Sequence, residues 1–340
     1  MAMLGCSAAL LAGCGGAGES EDAAAGAHGN GNKATAKAPE RPRGVMVTGE
    51  GWESPADLGI LLADREGFFR EAGLSVWFGA PASPTRPVGY VTGGTDMLGV
   101  THPPQLAMAK EKGAPIVAVG SLVSRPTAAM IWLKRSKIRD LSDLRGKTVA
   151  IPGLPFQKAF LESALTAAGL KPGETKVKTV GYDLVPALLS GRADAIFGGS
   201  ANQEGVELRA SGAEPVITPM RELGVPAYEE LVLIARQDLV EEDPKLIRDF
   251  MAAVARGTKV AAKHPGLAVK VLKEGGEANP EVSWKTMEAE VKATLPLVSR
   301  DGRMDSERTD DLLAWMHEEG MIEAGLTASD LLTNDYLAGP

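Results

Sequence analysis

Residues 189–203 read LSGRADAIFGGSANQ, and residues 91–105 read VTGGTDMLGVTHPPQ. Both run Gly-x-x-Asp, then an apolar stretch, then a polar or proline-rich loop. The spacing is the same in each, Gly93 to Asp96 and Gly191 to Asp194. The pattern fits the end of a short helix, a tight turn and a buried strand, used once in each half of the chain. In an open parallel sheet, ligands bind beyond the carboxyl ends of the strands. Both echoes put their polar loop there, so two facing sheets would bring the loops together across a cleft. The second loop continues to Glu204 and Gly205, and it offers Ser200, Asn202, Gln203 and Glu204 at once. Such a loop can be catalytic, can cradle a phosphate, or can line a cup that only holds a ligand.

Outward from these units, strand and helix signals alternate. GVMVTGE (44–50), LSVWFG (74–79), APIVAVGSLV (114–123), TVAI (148–151), VKTVGY (177–182) and EELVLIARQD (229–238) read as strands. Residues 57–70 place Leu58, Leu61, Leu62 and Phe69 on one helical face. Residues 155–169 space Phe156, Phe160 and Ala164 at i, i+4 and i+8. Asp183 stands where a helix N-cap would. After Asp243 the pattern is helical, with Leu246, Ile247, Phe250, Met251 and Val254 on one face. This alternation predicts an α/β fold with mostly parallel sheets.

The 340 residues are 44% hydrophobic, 24% charged and 5% aromatic, enough for about two domains. A net charge of −8 argues against a nucleic-acid groove, which needs clustered Lys and Arg. The only cysteines are Cys6 and Cys14, and the four histidines are scattered, so the body has no material for a Cys-based metal site, a disulfide or a Cys nucleophile. No Walker loop, nucleophile elbow or strand-linked G-x-G-x-x-G occurs in it. We therefore expect no enzymatic activity, no cofactor and no metal.

The N-terminus reads as an address. MAMLGCSAALLAGCGG is apolar and ends in Leu11-Ala12-Gly13-Cys14, like a bacterial lipobox, although no basic residue precedes it. Residues 1–14 are then a lipoprotein signal ending at a lipidated Cys14. Residues 15–43, rich in Gly, Ala and polar residues, are a flexible tether.

The body resembles a solute-binding protein of an ABC importer. It is similar to the branch that binds thiamine-pyrimidine precursors, within the nitrate, sulfonate and taurine group. The resemblance rests on LGILLADREGFFREAGLSV, SLVSRPTAAMIWLKRSKIRDLSDLRGKTVAIPG, VGYDLVPALLSGRADAIFGGSANQEGVEL and VPAYEELVLIARQDLVEEDPKLIRDFMAAVARG. It implies a two-lobed periplasmic-binding-protein-like type II fold with two crossovers, near Ser124–Trp132 and Tyr228–Ile234. Lobe one would be 44–127 plus 233–340, and lobe two 128–232. The implied function is to bind a small heterocyclic metabolite between the lobes, outside the cytoplasm, as a lipid-anchored monomer that passes it to an ABC permease and its ATPase. Trp52, His102, Gly153, Phe156, Asn202, Glu204 and Tyr228 are the expected ligand contacts. Where that branch is aromatic-rich after its strand, this chain has SANQEG. Alternatives are a binding protein for sulfonate, nitrate or a riboflavin-type ligand, or an enzyme like the thiamine-pyrimidine synthase of the same fold. The synthase carries a cysteine-rich iron motif, whereas no cysteine follows Cys14 here.

Overall fold

In a computed structural model of the chain, residues 42–49, 52, 54–79, 85–274, 282–323 and 325–337 are described. The expected signal, lipidation site and nearly all of the tether lie outside them. The strands are β1 (Arg43–Thr48), β2 (Leu74–Gly79), β3 (Leu98–Thr101), β4 (Ile116–Val123), β5 (Ala128–Leu133), β6 (Thr148–Ile151), β7 (Lys176–Thr179), β8 (Ala195–Ser200), β9 (Pro215–Pro219) and β10 (Leu231–Arg236). The helices of the first half are α1 (Leu58–Arg65), α2 (Phe68–Glu71), α3 (Arg86–Thr92), α4 (Pro103–Glu111) and α5 (Pro155–Ala167). They are followed by α6 (Leu184–Leu189), α7 (Glu204–Ala210), α8 (Gln237–Glu242) and α9 (Pro244–Lys263). The last are α10 (Pro265–Glu274), α11 (Trp284–Thr294), α12 (Ser306–Glu318) and α13 (Ala328–Leu331).

Two five-stranded sheets form, in the orders β2-β1-β3-β10-β4 and β7-β6-β8-β5-β9. The orders are equivalent, and the echoed segments occupy equivalent places. The first echo runs from the end of α3 through β3 into α4; the second runs from the end of α6 through β8 to the residue before α7. The repeated spacing also has a structural counterpart, since each aspartate bonds to the neighbouring parallel strand. The Asp96 carboxylate accepts from the Thr48 hydroxyl, and Asp194 Oδ2 accepts from the Thr148 amide at 2.8 Å.

The sheets are mixed, which qualifies the expectation of mostly parallel pairing. Four strands of each sheet point the same way. The exceptions, β10 in the first sheet and β5 in the second, run antiparallel to both neighbours. These two are the strands that follow the crossovers. The chain leaves β4 at Val123 and enters β5 at Ala128, and it returns from β9 to β10 across residues 220–230. A strand that enters a sheet from the edge where its neighbours end must run against them. The stretch 124–132, read from sequence as one crossover, is thus a four-residue link plus most of β5.

The apolar periodicities place the helices correctly. Phe156, Phe160 and Ala164 of α5 and the Leu246–Val254 face of α9 are all buried. The helix expected over 57–70 is broken, however. Gly67 takes φ +77°, a left-handed conformation that costs glycine nothing, and it ends α1 before α2 starts. Asp183 does occupy the N-cap position of α6, but its side chain makes no capping bond. One apolar cluster joins β4 and α4 to β5, α5 and α12, so the two sheets share core on one side of the crossovers.

Candidate functional site

The antiparallel strands decide where the site lies. Ala128 of β5 pairs with Ser200 at the end of β8, and Val232 of β10 pairs with Thr101 at the end of β3. Both crossovers therefore arrive beside the loops that follow the two echoed strands. Between them opens a cleft of ≈ 190 Å³. His102, Val100 and Leu231 line it from the first sheet, Gly198, Ser200, Asn202, Gln203 and Glu204 from the second, and Thr127 and Glu230 from the crossovers. Ser54 to Asp57, the first turn of α5, the β7–α6 turn and Thr294 complete the wall. A volume below the usual range for drug-sized ligands suits a molecule about one ring in size.

Glu230 ties the two crossovers together. Its Oε2 accepts from the Thr127 amide and, at 3.1 Å, from the Ala128 amide, while His102 Nδ1 lies 3.3 Å from Oε1. Burial alone would push this carboxyl up. His102 and the two amides outweigh burial and hold it below the ordinary value, so it is a carboxylate at neutral pH.

Glu204 is different. It opens α7, and its Oε2 accepts from the Ser200 amide at 2.6 Å. Burial pushes its carboxyl up to about 7, against the pull of the amides of residues 204 and 200; the charges of Glu207 and Glu230 add to the rise. Asn202 reaches out of the second sheet's loop to α11, its Nδ2 donating to Thr294 Oγ1 at 2.6 Å. Thr294 spends its own proton on the Glu290 carbonyl, at 2.8 Å, which fixes the hydroxyl as acceptor and the Asn202 amide in its orientation. Ser54 Oγ donates to Gln203 Oε1 at 3.3 Å. The loop between β8 and α7 is therefore held by segments from the first sheet's half of the molecule.

Of the seven expected contacts, the structure brings His102, Asn202 and Glu204 together in the cleft. Trp52, Gly153, Phe156 and Tyr228 are not among its lining residues. Trp52 packs edge-on against Phe78 and donates from Nε1 to the Gly79 carbonyl at 2.9 Å. Gly153 turns the chain between β6 and α5. Phe156, Phe160 and Tyr228 form a buried ring ladder behind His102, and burial raises the Tyr228 phenol well above its usual value. Glu230, Gln157, Thr127 and Thr294 line the cleft without having been singled out in the sequence. Glu230 follows Tyr228 at the second expected crossover, which was the one available signal for it. The Gln157 amide lies so close over Gly198 that a Cβ there would come within 2.6 Å of Nε2. Among the described residues, no group of three or more His, Cys, Asp and Glu is placed to hold a metal.

A ligand-sized cleft between two α/β sheets, crossed twice by the chain, defines the periplasmic-binding-protein fold. The aliphatic sulphonate binding protein of Escherichia coli superposes with TM-score 0.67 at 15% identity, over 88% of this chain and 95% of that one. Residues 54–268 match the family described as NMT1/THI5 like, and the chain belongs to that family. A thiamine biosynthesis protein of Haemophilus influenzae is 30% identical over 292 residues, covering 84% of this chain and 90% of its own. The formylaminopyrimidine-binding protein of Halalkalibacterium halodurans is 29% identical over 280 residues, 81% of this chain and 85% of its own. A 4-amino-5-hydroxymethyl-2-methylpyrimidine phosphate synthase of Legionella pneumophila is 27% identical over 252 residues, 73% and 78% of the two chains.

Proposed function

We propose that this protein is the solute-binding component of an ABC importer and that it takes up an uncharged or cationic aminopyrimidine of the thiamine-precursor type. The observation that carries the choice of ligand is the charge of the cleft. Asp57, Glu204 and Glu230 line it, and no Lys or Arg is among the described lining residues. An anion would enter against a buried carboxylate with no Lys or Arg to meet it, and His102 is already set against Glu230. Sulfonate and nitrate are disfavoured on this ground, and so is a phosphorylated product of the synthase type. Riboflavin is disfavoured by size. An aminopyrimidine instead brings an exocyclic amine, for which Glu204 and Glu230 offer acceptors, and ring nitrogens that a protonated Glu204 can serve as donor.

The protein binds its ligand without converting it. The similarity to a formylaminopyrimidine-binding protein favours this reading over the synthase, as does the body's lack of the cysteine that the synthase's iron motif would need. A thermal-shift panel of 4-amino-5-hydroxymethyl-2-methylpyrimidine, its formylamino analogue, taurine, nitrate and riboflavin tests the reading. A ligand at a hundredfold excess over its Kd adds about 2.7 kcal/mol to the folded state. The aminopyrimidines should shift the melt and the anions should not; a shift with taurine or nitrate alone would overturn the assignment.

The lipobox-like segment supports a location outside the cytoplasm, with the protein held to the membrane through lipid on Cys14. Cys14→Ser should move it from the membrane to the soluble fraction, and unchanged membrane retention would refute the anchor.

A further inference from the structure

We infer that Gln157 reads the edge of the ligand, its carboxamide pairing with an amine and the ring nitrogen beside it on a neutral heteroaromatic solute. The inference rests on the solute-binding reading and adds to it the group that is recognised and a residue that recognises it.

Three carboxamides line the cleft, those of Gln157, Asn202 and Gln203. Two are held from within the chain, Asn202 by donating to Thr294 Oγ1 and Gln203 by accepting from Ser54 Oγ. Asn202 Oδ1 lacks a partner, but Thr294 fixes that amide and it cannot turn. Gln157 is different. The residue is only 3% exposed, yet its Oε1 has no hydrogen-bond partner among the described residues. A buried amide oxygen without a partner costs free energy, and such groups are few in folded proteins. A bound molecule that supplies the missing hydrogen recovers that cost.

The fold makes room for this amide. β5 pairs Ala129 with Gly199 and Met130 with Phe197, so β8 carries one extra residue, Gly198, as a bulge. Gly198 has φ +85°, and a Cβ there would lie 2.6 Å from Gln157 Nε2 and 2.8 Å from Cδ. Glycine is thus needed both for the backbone conformation and for the approach of the amide. The backbone of Gln157 is anchored in the first turn of α5, where its N–H donates to the Leu154 carbonyl at 3.1 Å. The carboxamide is therefore seated in the cleft wall while its oxygen stays unpaired.

Its chemistry sets the partner. A carboxamide offers an acceptor and a donor side by side, and a half-turn of its last bond exchanges them. The complementary edge is an amine next to an unprotonated ring nitrogen, the pairing by which glutamine reads adenine. A 4-aminopyrimidine has that edge. Its amine carries two hydrogens, so one meets Gln157 while the other remains for a carboxylate of the cleft. A sulfonate or nitrate group has no hydrogen to give.

The test is titration calorimetry on the wild type and Q157M, with 4-amino-5-hydroxymethyl-2-methylpyrimidine and with its analogue lacking the 4-amine. Melting of the ligand-free proteins is measured alongside. Methionine keeps the length of the side chain without the amide. Pairing predicts that Q157M binds the aminopyrimidine roughly tenfold or more weakly. Ligand-free Q157M should melt at or above wild type, because an unpaired polar group has given way to an apolar one. Removing the amine from the ligand should cost the wild type more affinity than it costs Q157M. Wild-type affinity in Q157M overturns the proposal, and so does an equal cost of the amine in both proteins. Weaker binding together with lower ligand-free melting marks a packing role and also overturns it. If the wild type binds no aminopyrimidine, the aminopyrimidine reading falls. The role of Gln157 then stands or falls by whether Q157M weakens binding of the panel solute that does bind.

Discussion

Glu204 and Glu290 give the site an acid–base character that no single residue announces. Glu290, on α11 and 3% exposed, has its carboxyl pushed up to about 8 by burial, by Glu207 and by Glu204, against a weaker pull from Lys273. Glu204 stands at about 7 for the same main reason. A carboxyl whose folded value lies above its unfolded value holds more protons when folded. Stability is then greatest below about 4.5 and falls as pH rises through the folded values, up to about 8. Glu204 is partly buried, so its own share is at most about 3 kcal/mol. Glu229 and Asp64, also raised by burial, act in the same sense. Glu230 acts in the opposite sense, because its lowered value contributes stability that is lost as pH falls through it. The melting temperature should peak at mildly acidic pH and decline toward pH 8. In E204Q or E290Q that alkaline decline should shrink; a wild-type slope in both variants would contradict the assignment. His102, Asn202 and Glu204 were legible in the sequence because each follows an apolar strand at once. Gln157 and Thr294 were not, because only the approach of α5 and α11 to those loops gives them a role.

At the level of elements, α1 and α9 cross almost backbone to backbone. A Cβ at Gly257 would come within 2.1 Å of the Gly59 carbonyl oxygen and 2.7 Å of the Ala63 amide. Backbone cannot move aside as a side chain can, so Gly257→Ala must separate the helices. Loss of about 1–3 kcal/mol or more in chemical denaturation is expected. Gly266, in the first turn of α10, meets nothing within 4 Å, and Gly266→Ala should be neutral or stabilise by up to about 1 kcal/mol. Equal effects of the two substitutions would show that helix propensity, and not the crossing, decides. The amphipathic pattern of α9 was readable because its apolar face recurs regularly over the 20 residues of the helix. The break at Gly67 and the strands β5 and β9 were harder to read. β5 is an uninterrupted buried run without alternation, and β9 has proline at both ends.

For the whole molecule, the sequence echo proved to be the architecture. One unit per half sets two equivalent sheets, and the two crossovers turn their strand ends toward a common space. Motion between the halves must then pass through 124–127 and 220–230, and Glu230 holds the first of these to the second. We propose that the sheet built from β5 to β9 moves with its helices as one lobe, and that a ligand closes it on the other about these links. The Asn202–Thr294 and Ser54–Gln203 contacts already join the halves across the cleft mouth. Small-angle scattering should give a smaller radius of gyration with a saturating ligand than without it. Thr294→Val removes the acceptor of the Asn202 amide and should widen the ligand-free form and weaken binding, while leaving the bound radius close to that of wild type. A radius unaffected by ligand in both proteins would mean a rigid cleft, with α11 serving only as a wall.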